Sequence, residues 1–176
     1  TVVVTRTQGL YGDIGFAPDG SLYGVGLQTD RLMRIDLPSG EETDCGALPA
    51  PGTNALSFDH LWNAYVGSGT TSRTWRRNLA TPGAAFAYWW DFATGASTGD
   101  FVFLKGRVYV AWLTGLLEVT VDPITNEYRG HRYLHELPPD TYGLASDGES
   151  VLYAVTRDGH IFSIVPPSSA LTLVHT

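Results

Sequence analysis

Four polar side chains precede short apolar segments at similar places along the sequence. They stand in the pairs Gly12-Asp13, Asn54-Ala55, Gly99-Asp100 and Asp140-Thr141. Carboxylate oxygens are ligands that hard cations prefer. If Asp13 and Asp100 face each other across a channel, they would form a site for calcium, sodium or a column of ordered water. The alternative is that both aspartates cap the turns that lead into strands and face solvent.

The sequence contains no arrangement typical of a catalytic site. Gly67-Ser68-Gly69 is too short for a nucleophile elbow, and the glycine patterns do not precede a helix that could bind phosphate. The histidines show neither of the common zinc-binding spacings; they are His60, His131, His135, His160 and His175. We therefore expect a non-enzymatic protein that needs no cofactor.

Three tryptophans are candidates for a contact surface. Trp89 and Trp90 are adjacent, so in a strand they would point to opposite faces and at least one would be poorly buried. Tryptophan is favoured at protein interfaces and as a platform for sugars, so a single glycan site around Trp90 or Trp112 is the second interpretation. Packing in the core is the alternative for each of the three.

A repeat of 42 to 44 residues indicates the elements that position these side chains. Four apolar runs end in a tyrosine, at Tyr23, Tyr65, Tyr109 and Tyr153, with spacings of 42, 44 and 44 residues. A strand-to-turn marker follows each tyrosine by 13 residues, as at Ile35-Asp36 in the first copy. Two markers in phase predict four copies of one structural unit.

Each copy reads as four short strands separated by turns. In the first copy these are 14–17, 22–27, 31–37 and 42–48, and no segment has the pattern of an amphipathic helix. Four strands in about 43 residues is the size of a propeller blade. We predict one all-β domain over 1–176, a four-bladed β-propeller with blades near 8–48, 53–92, 97–137 and 140–176. A β-sandwich is the alternative, but it would not require markers in phase.

The two ends of the chain supply one strand too many. Residues 1–7 match the outer strand that would precede the first copy, although the fourth copy already has an outer strand near its end. We predict that both terminal segments lie in the last blade, which would close the propeller, or that one pairs with a neighbouring chain. The candidate pairing residues are Val2, Val4, Arg6, Leu171 and Leu173.

The segment Asp13-Ile-Gly-Phe-Ala-Pro-Asp-Gly-Ser-Leu-Tyr23, followed by Leu32-Met-Arg-Ile-Asp36, resembles the repeats of NHL-like and gluconolactonase-like propellers. The resemblance extends over nearly all four copies and implies the fold rather than a chemistry. Gluconolactonase-like propellers hold a divalent metal with glutamate, asparagine and aspartate at the channel mouth. No residues of this chain can be matched to that set one by one, so a metal-dependent hydrolase is the third interpretation.

The net charge of -7 argues against nucleic acid as a partner, because the surface should repel phosphate. The one basic cluster, Arg73, Arg76 and Arg77, is expected to be a solvated strand face. Cys45 is the only cysteine, which excludes an intrachain disulfide, and no apolar run is long enough to cross a membrane. We expect a soluble protein that binds another protein or copies of itself, for example in a larger particle such as a virion.

Overall fold

The computed structural model describes residues 9–91, 100–112, 115–168 and 170–175. Over these residues the chain forms sixteen strands in four antiparallel sheets, each of four strands taken in chain order, with no helix and hence no membrane-spanning helix. The fold class is that of an all-β four-bladed propeller, as predicted. The chain divides into two compact units, Thr1–Ala96 and Ser97–Thr176, and each is described by itself. The single domain expected over 1–176 stays a prediction.

The first unit holds two blades. The strands of the first blade are β1 (Tyr11–Phe16), β2 (Leu22–Gly26), β3 (Arg31–Ile35) and β4 (Glu42–Ala47). Those of the second are β5 (Thr53–Phe58), β6 (Asn63–Ser68), β7 (Arg73–Asn78) and β8 (Ala87–Asp91). Buried side chains of both blades, among them Val25, Leu32, Leu56 and Val66, form one core that stabilises the pair.

The second unit also consists of two blades. Its blades consist of β9 (Phe101–Leu104), β10 (Arg107–Trp112), β11 (Gly115–Val121) and β12 (Tyr128–Glu136), and then β13 (Thr141–Ser146), β14 (Leu152–Thr156), β15 (Ile161–Ile164) and β16 (Leu171–His175). Its core again joins two blades, with Tyr109, Leu116, Leu144 and Leu152 among the buried side chains. The predicted strands of the first copy differ from the observed ones by three residues at most.

The repeated tyrosines have one place in every blade. Each lies on the second strand and pairs with a residue of the innermost strand: Tyr23 with Gly15, Tyr65 with Ser57, Tyr109 with Val102 and Tyr153 with Ala145. These pairs define the register between copies. In each blade, the residue two positions before the partner of the tyrosine is equivalent; these residues are Asp13, Ala55, Asp100 and Gly143.

This register corrects the alignment of the fourth copy. The sequence analysis matched Asp140-Thr141 with Gly12-Asp13, but Gly143 is the residue equivalent to Asp13. Asp140 lies outside the strand with a φ of 57°, and its carbonyl accepts a hydrogen bond from the Arg157 amide at 3.0 Å. Of the two residues that the alignment assigned to the strand entry, Asp140 therefore lies in the loop before β13, and Thr141 begins the strand two residues before Gly143.

The first hairpin turn of the second copy departs from the others and is held by a buried carboxylate. Gly20 supplies the positive φ of this turn in the first copy, whereas Trp62 adopts a φ of 66° in the second. Asp59, buried beneath the turn, accepts hydrogen bonds from the Leu61 and Asn63 amides at 2.8 and 2.9 Å. These bonds offset the cost of an unusual backbone conformation at a bulky residue.

Candidate functional site

Asp13 and Asp100 each connect two neighbouring blades of their own unit. One carboxylate oxygen of Asp13 accepts the amide of the next residue, Ile14, at 2.8 Å, and the other accepts the Leu56 amide of the second blade at 2.6 Å. Because β5 is the edge strand of its sheet, an outward-facing amide has no partner within the ladder. The aspartate supplies that partner.

Asp100 repeats this arrangement in the second unit. Its carboxylate accepts the Phe101 amide at 2.7 Å and the Leu144 amide of the next blade at 3.4 Å. Leu56 and Leu144 occupy the same repeat position, one residue before the partner of the tyrosine. Both predicted metal ligands therefore make structural hydrogen bonds to backbone amides. This role resembles the alternative in which the two aspartates cap the turns that lead into strands.

The other two strand-entry candidates do not join this arrangement. Asn54 is half-buried, its side chain lies against Gly69, and its Oδ1 has no hydrogen-bond partner among the described residues. Asp140 is exposed in the loop before β13. Within the described ranges no group of three or more His, Cys, Asp and Glu could hold a metal ion. A cation between Asp13 and Asp100 stays a prediction.

A buried carboxylate in the third blade was not found by sequence reasoning. Glu118 on β11 is only 3% exposed, and it accepts hydrogen bonds from Arg107, from Arg132 at 3.1 and 3.2 Å, and from the Tyr109 hydroxyl at 3.3 Å. Burial, with the Glu118 carboxylate beside it, raises the pKa of Tyr109 to about 12. The cluster joins β10, β11 and β12 and keeps the phenol protonated, so it stabilises the blade rather than supplying a nucleophile.

The expectation that Trp89 or Trp90 would be poorly buried is wrong. They are 8% and 6% exposed, and the Trp89 ring packs edge-on to Tyr65 with centroids 4.7 Å apart. The cause is a β-bulge, because Trp90 lies opposite Thr74 while Trp75 lies opposite Tyr88, so Trp89 is an extra residue. The bulge breaks the alternation of faces and leaves Tyr88 as the exposed aromatic of β8.

Trp112, the third tryptophan candidate, lies at the end of β10. Its side chain is half-buried, and its indole N–H has no acceptor among the described residues. An aromatic face with an unpaired donor is compatible with either packing or a ligand. Its role as a contact residue stays a prediction.

Of the two terminal segments, the structure describes only the second. Leu171–His175 forms β16, the outer strand of the fourth blade, paired with β15, as expected for one of the two. Val2, Val4 and Arg6 lie outside the described residues. On the side away from β15, no described strand pairs with β16, so this strand is an edge of its sheet within the described part of the chain.

Comparison with known proteins supports the fold. No family model matches the sequence, and no characterised protein matches it in sequence. Among solved structures, the chain is similar to the glutaminyl cyclase of Myxococcus xanthus, with a TM-score of 0.67 and 11% identity over 95% of this chain and 70% of that one.

Two further structures have quite different functions. An auxiliary nutrient binding protein from Bacteroides ovatus matches with a TM-score of 0.72 and 12% identity, over 96% of this chain. The hydrazine synthase of Kuenenia stuttgartiensis matches with a TM-score of 0.63 and 15% identity, over 99% of this chain. The chain spans about half the length of these two, 48% and 52%. At such identities the likeness shows the β-propeller fold alone, and neighbours that include both enzymes and a binding protein assign no activity.

Proposed function

We propose that this chain is a non-enzymatic assembly module, a rigid β-propeller scaffold that associates with further copies of itself through the outer edge of β16. The observation that carries the proposal is the composition of the four outer strands. An outer strand presents a row of backbone donors and acceptors to any strand that approaches it. Soluble proteins usually protect such edges with charges or bulges.

Three of the outer strands carry formal charges. β4 contains Glu42 and Asp44, β8 ends in Asp91, and β12 holds Arg129, Arg132 and Glu136. The strand β16 reads Leu-Thr-Leu-Val-His and has no Asp, Glu, Lys or Arg. Among the four outer strands, β16 is therefore the one that has no charged residue to oppose the addition of a further strand.

Two side chains of β16 are both apolar and exposed. Leu173 is 49% and Val174 is 55% exposed, and valine is a good strand former. A partner strand would bury these side chains and pair with the edge that β16 presents within the described part of the chain, which is the general mode of β-strand addition. A second copy of β16 offers the same apolar and uncharged surface, and two such edges form a self-complementary interface about a two-fold axis.

The test is the oligomeric state of the full chain, measured by light scattering and native mass spectrometry over a range of concentrations. The wild type is expected to self-associate, and Leu173→Lys to be monomeric, because two lysines would then meet across the interface. Val174→Lys provides a second variant at the same edge. Ile124→Lys is the matched control, since Ile124 is an exposed aliphatic residue in a turn between β11 and β12.

A wild type that is monomeric at every concentration would contradict the proposal. So would a Leu173→Lys variant that assembles as the wild type does. Circular dichroism of each variant shows that the fold is retained. Glycan binding near Trp112 and metal-dependent hydrolysis, the two alternatives drawn from the sequence, stay predictions.

A further inference from the structure

A cleft of about 480 Å³ opens between the two blades of the first unit. It lies where the end of β4 approaches β7 and the loop that leads to β8. Its lining is mostly apolar and includes Cys45, Ala47, Pro49, Ala84, Phe86 and one charged residue, Arg77. The volume is within the range of about 300–1,000 Å³ that is typical of small-molecule sites.

Arg77 is half-buried, and no carboxylate of the described residues pairs with it. One of its terminal nitrogens donates to the Cys45 carbonyl at 2.6 Å, and its guanidinium lies 5.9 Å from the centre of the Phe86 ring. Its Nε is buried and has no acceptor among the described residues. A guanidinium has five N–H donors, and the described residues accept a hydrogen bond from one nitrogen of Arg77.

Several other arginines of the described chain have carboxylate partners. Arg31 pairs with Asp44 at 2.6 Å, Arg129 pairs with Asp122 at 2.9 Å, and Arg107 pairs with Glu118. Arg107 and Arg129 are exposed and Arg31 is half-buried like Arg77, yet each of the three has a carboxylate beside it. A partly desolvated guanidinium without an anion is costly, and this cost is relieved when a carboxylate binds.

The guanidinium of Arg77 lies close to Gly46 at the end of β4. Gly46 has a φ of 120°, and a Cβ atom at this position would lie 2.9 Å from the Arg77 terminal nitrogen. The Gly46 amide donates to the Asp44 carboxylate at 2.8 Å, which holds this conformation. Of the basic cluster that was expected to be a solvated strand face, Arg73 is exposed, whereas Arg76 and Arg77 are half-buried.

We propose that this cleft binds a monocarboxylate with a compact apolar body. The carboxylate would accept hydrogen bonds from the guanidinium of Arg77, and the apolar body would pack on Ala84 and Phe86. A free organic acid and the C-terminal residue of a peptide both present this chemistry. The proposal rests on the first unit only and does not depend on association through β16.

The experiment measures binding to the full chain by titration calorimetry with four probes. Benzoate represents a free acid, and the tripeptide Gly-Gly-Ala represents a C-terminal carboxylate. Benzamide and the C-terminally amidated tripeptide are their neutral counterparts. At least one carboxylate is expected to bind saturably, whereas its neutral counterpart should not bind. The carboxylate that binds shows whether the natural ligand is a free acid or a peptide C-terminus.

The variant Arg77→Gln is expected to weaken that binding at least about tenfold, because a charge-assisted hydrogen bond is lost. Arg73→Gln, an exposed arginine on the same strand, is the matched control and should bind as the wild type does. Since Arg77→Gln also removes the bond to the Cys45 carbonyl, Ala85→Trp is a second variant. It fills the cleft while Arg77 stays in place.

Alkylation of the single cysteine gives an independent readout. Cys45 lines the cleft, so a bound carboxylate should slow its modification, as followed by mass spectrometry. The proposal is overturned if neither carboxylate binds saturably, if the neutral counterparts bind equally well, or if Arg77→Gln and Ala85→Trp bind as the wild type does.

Discussion

The variant Asp13→Asn tests the link between the first two blades. The carboxylate accepts two backbone amides, from Ile14 at 2.8 Å and from Leu56 at 2.6 Å. An asparagine retains one oxygen acceptor, so its NH2 group must face the second amide, donor against donor. Leu56 is buried, so its amide has little access to water. Loss of a hydrogen bond to a charged group costs about 1.5–3 kcal/mol, and we expect Asp13→Asn to lower the free energy of unfolding by about 2 kcal/mol.

The variant Asp100→Asn is the internal control for this reasoning. The equivalent bond, from Asp100 to the Leu144 amide, is 3.4 Å long, near the limit for a hydrogen bond. The same substitution should therefore cost about 1 kcal/mol or less. Urea denaturation followed by fluorescence measures both values, provided that each transition is a single step with an unchanged slope. Equal losses, or a larger loss for Asp100→Asn, would refute the argument that the shorter bond is the stronger link between blades.

Two further predictions concern titratable groups. The Thr125 amide, together with the guanidinium of Arg129 and a second backbone amide, holds the pKa of Asp122 well below its usual range. The stability that Asp122 contributes is therefore complete above the unfolded pKa of about 3.9 and is lost as the pH falls towards the folded pKa. Asp122→Asn should be less stable at neutral pH, with a smaller further loss in acid, as measured by thermal unfolding; an unchanged acid profile would contradict this. Burial raises the pKa of the Cys45 thiol, so iodoacetamide should modify it more slowly at pH about 8 than the urea-unfolded chain. Equal rates would show that the thiol is not shielded.

The sequence was sufficient to predict the fold because its markers are tied to backbone geometry. The tyrosines recur at one place on the second strand of every blade, opposite a residue of the innermost strand. Turn glycines such as Gly20 and Gly148 adopt the positive φ that their hairpins require. Both signals are local, so a single sequence is enough to detect them. The alignment failed only at the entry to β13, where it matched Asp140-Thr141 although Gly143 is the residue equivalent to Asp13.

The candidate surfaces were harder to predict because they depend on non-local packing. A bulge in β8 puts Trp89 and Trp90 in the core and exposes Tyr88, and no residue type in this segment signals the bulge. The role of Arg77 depends on Cys45, which is 32 residues away in sequence. Glu118 likewise acquires its partners from two neighbouring strands. Alternation within one strand carries no information about such contacts.

The alternation of residues at the strand entry indicates that the structural repeat is the pair of blades. The first and third copies have Asp13 and Asp100 at this position, whereas the second and fourth have Ala55 and Gly143. Each aspartate bonds to the following blade of its own unit, and each unit has its own core shared by two blades. In repeat proteins, stability is mostly the sum of the terms for single repeats and for neighbouring interfaces. The charged bonds therefore strengthen the interface between the two blades of each unit. A sequence period of 42 to 44 residues, taken alone, does not reveal this two-blade unit.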